Sequence, residues 1–136
     1  MEAAVVLLVD DEAPFVEAMA KRLTKRKLSV LTAPHGRKAV EMLDREPSVN
    51  VVILDIKMPG MDGIETLREI KRKHPEVEVI ILTGHATVDS ATEGIRLGAF
   101  DYLMKPCDIE HLVARVGEAR AKKASRREKT DRAGVA

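Results

Sequence analysis

The segment Val5-Val6-Leu7-Leu8-Val9-Asp10-Asp11 is a short run of apolar residues that ends in two carboxylates. Three later runs have the same design, and each is followed by a polar residue: 51–54 by Asp55, 79–82 by Thr83 and 102–104 by Lys105. Uninterrupted apolar runs of this length are typical of strands that are buried on both faces, as in a parallel sheet. Because the C-terminal ends of parallel strands share one edge, we expect these polar side chains to meet there.

Strand and helix patterns alternate along the whole chain. A further strand is predicted at 28–33, and apolar residues at helical spacing follow each of the five strands, at 15–23, 39–43, 64–70, 88–95 and 112–119. Five strand–helix repeats predict an α/β fold with a doubly wound parallel sheet. Right-handed crossovers permit few topologies. We predict the flavodoxin-like order 2-1-3-4-5, in which strands 1 and 3 lie side by side at the switch point, where such folds bind ligands.

The composition of the 136-residue chain, with 45% hydrophobic and 33% charged residues, is that of one globular domain. Aromatic residues make up only 2%, which argues against a stacking platform for single-stranded nucleic acid. No apolar stretch approaches the ~20 residues of a membrane-spanning helix, and the N-terminus lacks a signal-peptide pattern. We therefore expect a cytoplasmic protein.

The single cysteine, Cys107, excludes an internal disulfide and fits a reducing compartment. It lies near the start of the fifth predicted helix. A structural or capping role is the favoured interpretation, and a mildly lowered thiol pKa at a helix N-terminus is the alternative.

The net charge of +1 conceals an asymmetry, because residues 120–136 hold seven Lys/Arg and only two acidic residues. We therefore divide the chain into a domain at 1–120 and a basic C-terminal tail at 121–136. The charge alone would suit a docking or nucleic-acid-binding segment. No aromatic or base-reading motif accompanies it, so we favour a solvated helix extension or the start of a linker.

The predicted sheet edge carries residues suited to metal-dependent phosphoryl transfer. Asp10 and Asp11 follow strand 1 and Asp55 follows strand 3, so three like charges lie close together and repel one another. A bound Mg²⁺, which prefers oxygen ligands, would relieve this repulsion and leave one carboxylate able to attack phosphorus. The ammonium of Lys105 and the hydroxyl of Thr83 would stabilise the charge on the phosphoryl oxygens. Any one of these residues could be a cap or turn residue, but their coincidence on one edge favours a site.

Four segments resemble the receiver domain of bacterial two-component response regulators: Val9-Asp10-Asp11-Glu12, Leu54-Asp55-Ile56-Lys57-Met58-Pro59-Gly60-Met61-Asp62-Gly63, Leu82-Thr83-Gly84-His85 and Asp101-Tyr102-Leu103-Met104-Lys105-Pro106. The resemblance spans residues 4–120 in order and spacing. It implies that Asp55 is the phosphoacceptor and takes its phosphoryl group from a phosphohistidine on a sensor histidine kinase or a phosphotransfer protein. It also implies that Asp10, Asp11 and the backbone carbonyl of Lys57 hold Mg²⁺ together with Asp55.

The resemblance further implies a conformational switch. Thr83 and Tyr102 match the switch pair of the family, whose movement on phosphorylation remodels the face of helix 4, strand 5 and helix 5 and so controls a protein effector. Lys57 and His85 occupy positions that tune the lifetime of the phosphoryl group in the family, although both also suit exposed loop residues. The bond between Lys105 and the following proline is cis in the family. We expect a switch that catalyses only its own phosphorylation and dephosphorylation, as a monomer or a phosphorylation-dependent dimer.

Competing classes fit less well. A haloacid-dehalogenase-type phosphatase would have a second carboxylate at the position of Lys57, a flavodoxin would have a hydroxyl-rich loop at 10–14, and the Walker and Rossmann glycine motifs are absent. Two alternatives stay open. One is a receiver excised from a longer DNA-binding regulator, because segments 84–88 and 98–102 resemble receivers of the nitrogen-regulation type. The other is a phosphorylation-independent interaction module, which we would expect to lack an acidic or lysine position.

Overall fold

Five parallel β-strands alternate with five α-helices in a computed structural model that describes residues 4–57 and 62–135. The strands are β1 Val5–Val9, β2 Ser29–Ala33, β3 Val51–Leu54, β4 Glu78–Thr83 and β5 Asp101–Met104. The helices are α1 Ala13–Lys25, α2 Gly36–Arg45, α3 Gly63–Lys73, α4 Val88–Arg96 and α5 Ile109–Val135. The strand order is β2-β1-β3-β4-β5 with parallel pairing throughout. The predicted doubly wound, flavodoxin-like topology is therefore confirmed.

Side chains that alternate along the strands fill two cores, one on each face of the sheet. Leu7 and Leu54 belong to the core under α2 and α3, whereas Leu8 and Ile53 belong to the core under α1 and α5. Because helices cover β1, β3 and β4 on both sides, nearly all residues of these strands are buried. The continuous apolar runs of these three strands follow from this double burial.

The run before Lys105 differs from the other three. β5 is an edge strand whose residues are only partly buried, and Met104 is 64% exposed. In the adjacent helix α4, Val88 is 82% exposed and Ile95 is 50% exposed, while Gly94 is buried. The expectation that 102–104 is buried on both faces is therefore wrong. β5 is partly exposed because it lies at the edge of the sheet and has a neighbouring strand only on the β4 side.

The helix starts show which acidic residues act as caps. Asp62 accepts a hydrogen bond from the backbone N–H of Glu65 (2.8 Å) and caps α3. The N-cap position of α1 is held by Glu12, without a side-chain cap bond. Neither Asp10 nor Asp11 is therefore the cap residue of α1, and the capping interpretation does not account for their position.

Helix α5 is 27 residues long and extends ~40 Å. Its predicted apolar face is buried at Leu112, Val116 and Ala119, and the backbone stays helical to Val135. The division of the chain at residue 120 stays a prediction. The predicted loop at 58–61 and residue 136 lie outside the described residues. None of the described helices combines the length and the apolar character needed to cross a membrane.

Candidate functional site

Strand register places the acidic residues at one edge of the sheet. Val9 pairs with Leu54 in the parallel ladder between β1 and β3. The backbone N–H of Asp55 donates to the carbonyl of Val9 (3.0 Å), which continues this ladder past the strand end. Asp10 and Asp55 therefore leave neighbouring strands side by side, as the sequence predicted.

Asp10, Asp11 and Asp55 form an acidic cluster. One carboxylate oxygen from each residue lies within 4.8 Å of the others, and Asp10 and Asp55 are buried while Asp11 is exposed. Oxygen donors grouped in this way, with one exposed side, suit a hard divalent cation that keeps part of its water shell. The residues present therefore fit the metal that the sequence implied.

Among the described residues, Lys105 is the cation that forms ion pairs with this cluster. Its Nζ lies 2.7 Å from Oδ2 of Asp10, 3.6 Å from Oδ2 of Asp55 and 4.0 Å from Oε1 of Glu12. The lysine side chain is only 14% exposed. Since the acidic cluster has three carboxylates and the ammonium carries one positive charge, the site keeps an excess of negative charge that favours a further cation.

Each of the two buried carboxylates accepts a hydrogen bond from the backbone N–H two residues later in the chain. Oδ1 of Asp10 accepts a hydrogen bond from the N–H of Glu12 (3.0 Å), and Oδ1 of Asp55 accepts one from the N–H of Lys57 (3.3 Å). The Oδ2 atoms of both carboxylates are the ones that approach Lys105. The turns after β1 and β3 thus aim both carboxylates at the same ammonium.

Gly63 supports the turn after Asp55, a role that the sequence analysis did not identify. Its N–H donates to the carbonyl of Ile56 (2.9 Å). A Cβ at position 63 would lie 2.1 Å from Cα of Ile56 and 2.6 Å from the carbonyl oxygen of Asp55. Only glycine permits this approach of α3 to the backbone of the site. The glycine directly after the cap residue was visible in the sequence, but its contact across the turn was not.

Thr83 and Lys105 come from neighbouring strands at the same edge. The N–H of Lys105 donates to the carbonyl of Thr83 (2.8 Å). Thr83 is fully buried, and its Oγ1 accepts a hydrogen bond from the N–H of His85 (3.1 Å). The side chains of His85 and Lys57 are exposed. Their suggested effect on the phosphoryl lifetime stays a prediction.

Tyr102 lies away from the acidic cluster and contacts α4. The half-buried ring packs against the core under α2 and α3, and its hydroxyl is 2.5 Å from Oγ of Ser90. Ser90 also forms a capping box with Thr87 at the start of α4. Ser90 was not identified from the sequence, because a capping box is usually recognised by Glu or Gln at this position and α4 has serine there.

Burial raises the pKa of the Cys107 thiol above its ordinary value, and the nearby negative charges of Asp108 and Asp101 act in the same direction. The alternative expectation of a lowered pKa is therefore wrong. Its physical reason is that desolvation and two carboxylates disfavour the thiolate.

The site is an acidic cluster with a lysine beside it, at the C-terminal edge of a sheet with strand order 2-1-3-4-5. A family profile described as response regulator receiver domain matches residues 6–117. The chain belongs to this family. As a receiver it is a signalling switch of the two-component type, and phosphoryl transfer and Mg²⁺ dependence are general to the family.

The relatives of this receiver include longer regulators. The DNA-binding transcriptional regulator NtrC of Klebsiella pneumoniae is 39% identical over 119 residues, which cover 88% of this chain and 25% of the relative. The transcriptional regulatory protein ZraR of Klebsiella oxytoca is 40% identical over 116 residues, which cover 85% of this chain and 26% of the relative. The chain thus spans about a quarter of the length of these curated relatives.

Solved structures agree with this membership. A response regulator receiver domain protein from Clostridium thermocellum is 36% identical with a TM-score of 0.85, covering 89% of this chain and 97% of the other. NtrX from Brucella abortus is 31% identical with a TM-score of 0.84, covering 95% of this chain and 29% of the other. The resemblance to receivers of the nitrogen-regulation type is therefore confirmed.

Proposed function

We propose that Asp55 accepts a phosphoryl group from a phosphohistidine on a sensor histidine kinase or phosphotransfer protein. One observation carries the proposal: Asp55 is buried at the end of β3, within the acidic cluster and 3.6 Å from the ammonium of Lys105. A carboxylate oxygen of Asp55 attacks the phosphorus, the bond from phosphorus to the histidine nitrogen breaks, and an aspartyl phosphate forms. The histidine is released and takes up a proton.

Asp10, Asp11, Asp55 and the backbone carbonyl of Lys57 are the groups that would hold Mg²⁺. When bound, the ion neutralises negative charge on the acidic cluster and on the transferring group. The carboxylate of Asp10 is held by a hydrogen bond from the backbone N–H of Glu12. The carboxylate of Asp55 is held in the same way by the N–H of Lys57, so both are oriented without a metal. The protein therefore contributes an oriented oxygen cluster whose own repulsion favours cation binding.

Lys105 and Thr83 would stabilise the phosphoryl oxygens. The ammonium of Lys105 is held beside Asp55 and carries the positive charge that the transferring group requires. The hydroxyl of Thr83 accepts a bond from the His85 N–H, so its own proton is available for donation to a second oxygen. The exposed Lys57 and His85 lie at the rim, where they would tune hydrolysis by shielding the phosphate or orienting water.

Phosphorylation would be read out on the face formed by α4, β5 and α5 through the switch pair Thr83 and Tyr102. This face carries large apolar side chains that are exposed: Val88, Ile95 and Met104. Their exposure on this face supports a surface for a protein partner. We propose a downstream protein effector rather than direct nucleic-acid binding, a cytoplasmic location, and either a monomer or a dimer that forms on phosphorylation.

A second candidate is a receiver that belongs to a longer DNA-binding regulator. The backbone of α5 stays helical to Val135, beyond the end of the family match at residue 117. The aligned residues make up only about a quarter of each relative, and the relatives are transcriptional regulators by name. We propose residues 1–120 as the receiver and 121–136 as the basic start of a linker. A genomic reading frame that continues into an effector domain would support this candidate, and a stop codon after position 136 would exclude it.

Intact-protein mass after incubation with acetyl phosphate tests the proposed function. We expect one phosphoryl adduct in the presence of Mg²⁺, none with EDTA, and none in Asp55→Asn. Because rapid hydrolysis could remove the adduct, a control uses beryllofluoride, which mimics a phosphoryl group and does not hydrolyse. Its binding is detected by amide shifts in NMR spectra. Undiminished labelling of Asp55→Asn would overturn the assignment. Failure of both acetyl phosphate and beryllofluoride would favour a phosphorylation-independent interaction module.

A further inference from the structure

We propose that Phe15 is a positioning residue for Lys105, a role that rests on the proposed function of Asp55. The Nζ of Lys105 lies 3.9 Å from the centroid of the Phe15 ring. An ammonium at this distance over an aromatic face is attracted by the negative face of the ring quadrupole. The structure therefore gives the lysine a partner besides carboxylates.

The ring and the carboxylates together fix the position of the ammonium. Oδ2 of Asp10 lies 2.7 Å from Nζ of Lys105 and Oδ2 of Asp55 lies 3.6 Å from it, while Phe15 supplies the ring contact. A lysine ammonium is a point charge on a flexible four-carbon stem, and its position must be set by its surroundings. The ring confines the ammonium to the carboxylate side of the site, where the phosphoryl group would arrive.

Phe15 is itself held by the fold. It lies in the first turn of α1, directly after Pro14, and its half-buried side chain packs against the core under α1 and α5. The Lys105 side chain is only 14% exposed. Cation–π attraction is stronger when the cation is removed from water. Both members of the pair are thus restrained, which a chance surface contact would not show.

The chain offers a matched control because it has only two phenylalanines. Phe100 also has a cation over its ring, the guanidinium of Arg115 at 4.7 Å. Phe100 precedes β5 and belongs to no part of the proposed site. An effect of ring electrostatics on phosphorylation should therefore appear at position 15 and be absent at position 100.

Fluorinated phenylalanines test the proposal, because they weaken the negative ring face while they nearly preserve its shape. Mono-, di- and trifluorophenylalanine are placed at position 15 by codon suppression, and phosphorylation by acetyl phosphate with Mg²⁺ is followed by intact mass. We expect the phosphorylation rate to fall step by step as fluorine atoms are added. At full loss of the interaction the rate should be lower than that of the unsubstituted protein by a factor of about two to thirty. The same series at position 100 should leave the rate unchanged. A flat or rising series at position 15 would overturn the proposal.

A second readout needs neither metal nor phosphate. The Phe15 ring should shift the Nζ-adjacent methylene protons of Lys105 upfield in NMR spectra of the metal-free protein. Phe15→Leu should abolish this shift and Phe100→Leu should retain it. Absence of the shift in the unsubstituted protein would refute the proposal whatever the phosphorylation result. If the shift is present but the protein accepts no phosphoryl group or beryllofluoride, the proposed function fails, and with it the catalytic meaning of the contact.

Discussion

The hydroxyl of Tyr102 lies 2.5 Å from Oγ of Ser90, so the proposed switch tyrosine is hydrogen-bonded to the first turn of α4. Oγ of Ser90 also accepts a bond from the N–H of Thr87 (3.2 Å). Thr83, the other proposed switch residue, accepts the N–H of His85 in the loop that leads into this helix. The segment 85–90 therefore contacts both switch residues, so a rearrangement of this segment would change the hydrogen bonds of Thr83 and of Tyr102.

A double-mutant cycle on Ser90→Ala and Tyr102→Phe measures this link. We expect Tyr102→Phe to lower the free energy of unfolding by about 1 kcal/mol, because it removes one hydrogen bond. Ser90→Ala should cost more, because it also removes the bonds that Oγ of Ser90 makes to Thr87. The double variant should lose about 1 kcal/mol less than the sum of the singles. Urea unfolding followed by circular dichroism provides the measurement. Strict additivity would show that the hydroxyl pair contributes no coupling.

Lys105→Ala should remain folded but separate phosphorylation from the switch. Without the ammonium, an aspartyl phosphate at position 55 loses the cation that would hold the phosphoryl group in the site. The chain has one tyrosine and no tryptophan, so its emission reports Tyr102 directly. We expect this variant to be phosphorylated more slowly, as intact mass would show, and its Tyr102 emission to stay unchanged even after full phosphorylation. The emission change should persist in the surface control Lys38→Ala. A Tyr102 response in Lys105→Ala equal to that of the unsubstituted protein would contradict the assigned role.

Asp11→Asn should stabilise the metal-free protein and weaken its stabilisation by Mg²⁺. Removing the exposed charge of the acidic cluster relieves repulsion and should raise the metal-free unfolding free energy by up to about 1 kcal/mol. The stabilisation that added Mg²⁺ gives to the native state should shrink, because a proposed ligand is lost. Thermal unfolding in EDTA and over a Mg²⁺ series provides both values, with Glu41→Gln as a surface control. A variant stabilised by Mg²⁺ as strongly as the unsubstituted protein would remove Asp11 from the ligand set.

Gly63→Ala should destabilise the protein and displace the turn that carries Asp55. The added methyl group would overlap the backbone of Ile56, as its 2.1 Å distance to that Cα shows, and we expect a cost above about 2 kcal/mol. Gly117→Ala is the control, because Gly117 is exposed in α5 and its Cβ would meet nothing within 4 Å. There the better helix propensity of alanine should add up to about 1 kcal/mol. Equal effects of the two changes in chemical denaturation would refute the close approach at Gly63.

The position of the acidic cluster could be predicted because it follows from strand order and chain direction alone. The apolar runs before Asp10 and Asp55 identified buried parallel strands, and the C-terminal ends of such strands share an edge. The burial of β5 could not be predicted in the same way. Its run Tyr102-Leu103-Met104 is apolar like the run in β4, but the place of β5 at the edge of the sheet leaves Met104 exposed.

The side-chain contacts around the site were beyond sequence reasoning. Phe15 was assigned to the core face of α1, which is correct. Its contact with a lysine ninety residues later depends on how the side chain of Lys105 extends from the end of β5 to the first turn of α1. The bond from Ser90 to Tyr102 depends similarly on side-chain torsions across two elements. Periodicity reports the face on which a residue lies but not the partner that it meets.

The most direct test of the central claim locates the phosphoryl group on the chain. After reaction with acetyl phosphate and Mg²⁺, borohydride reduces an aspartyl phosphate to homoserine, which tandem mass spectrometry identifies in tryptic peptides. Trypsin separates the candidates, because peptide 46–57 contains Asp55 as its only aspartate, while Asp10 and Asp11 fall in peptide 1–21. We predict homoserine at position 55 alone. Homoserine in peptide 1–21, with peptide 46–57 unmodified, would contradict the account.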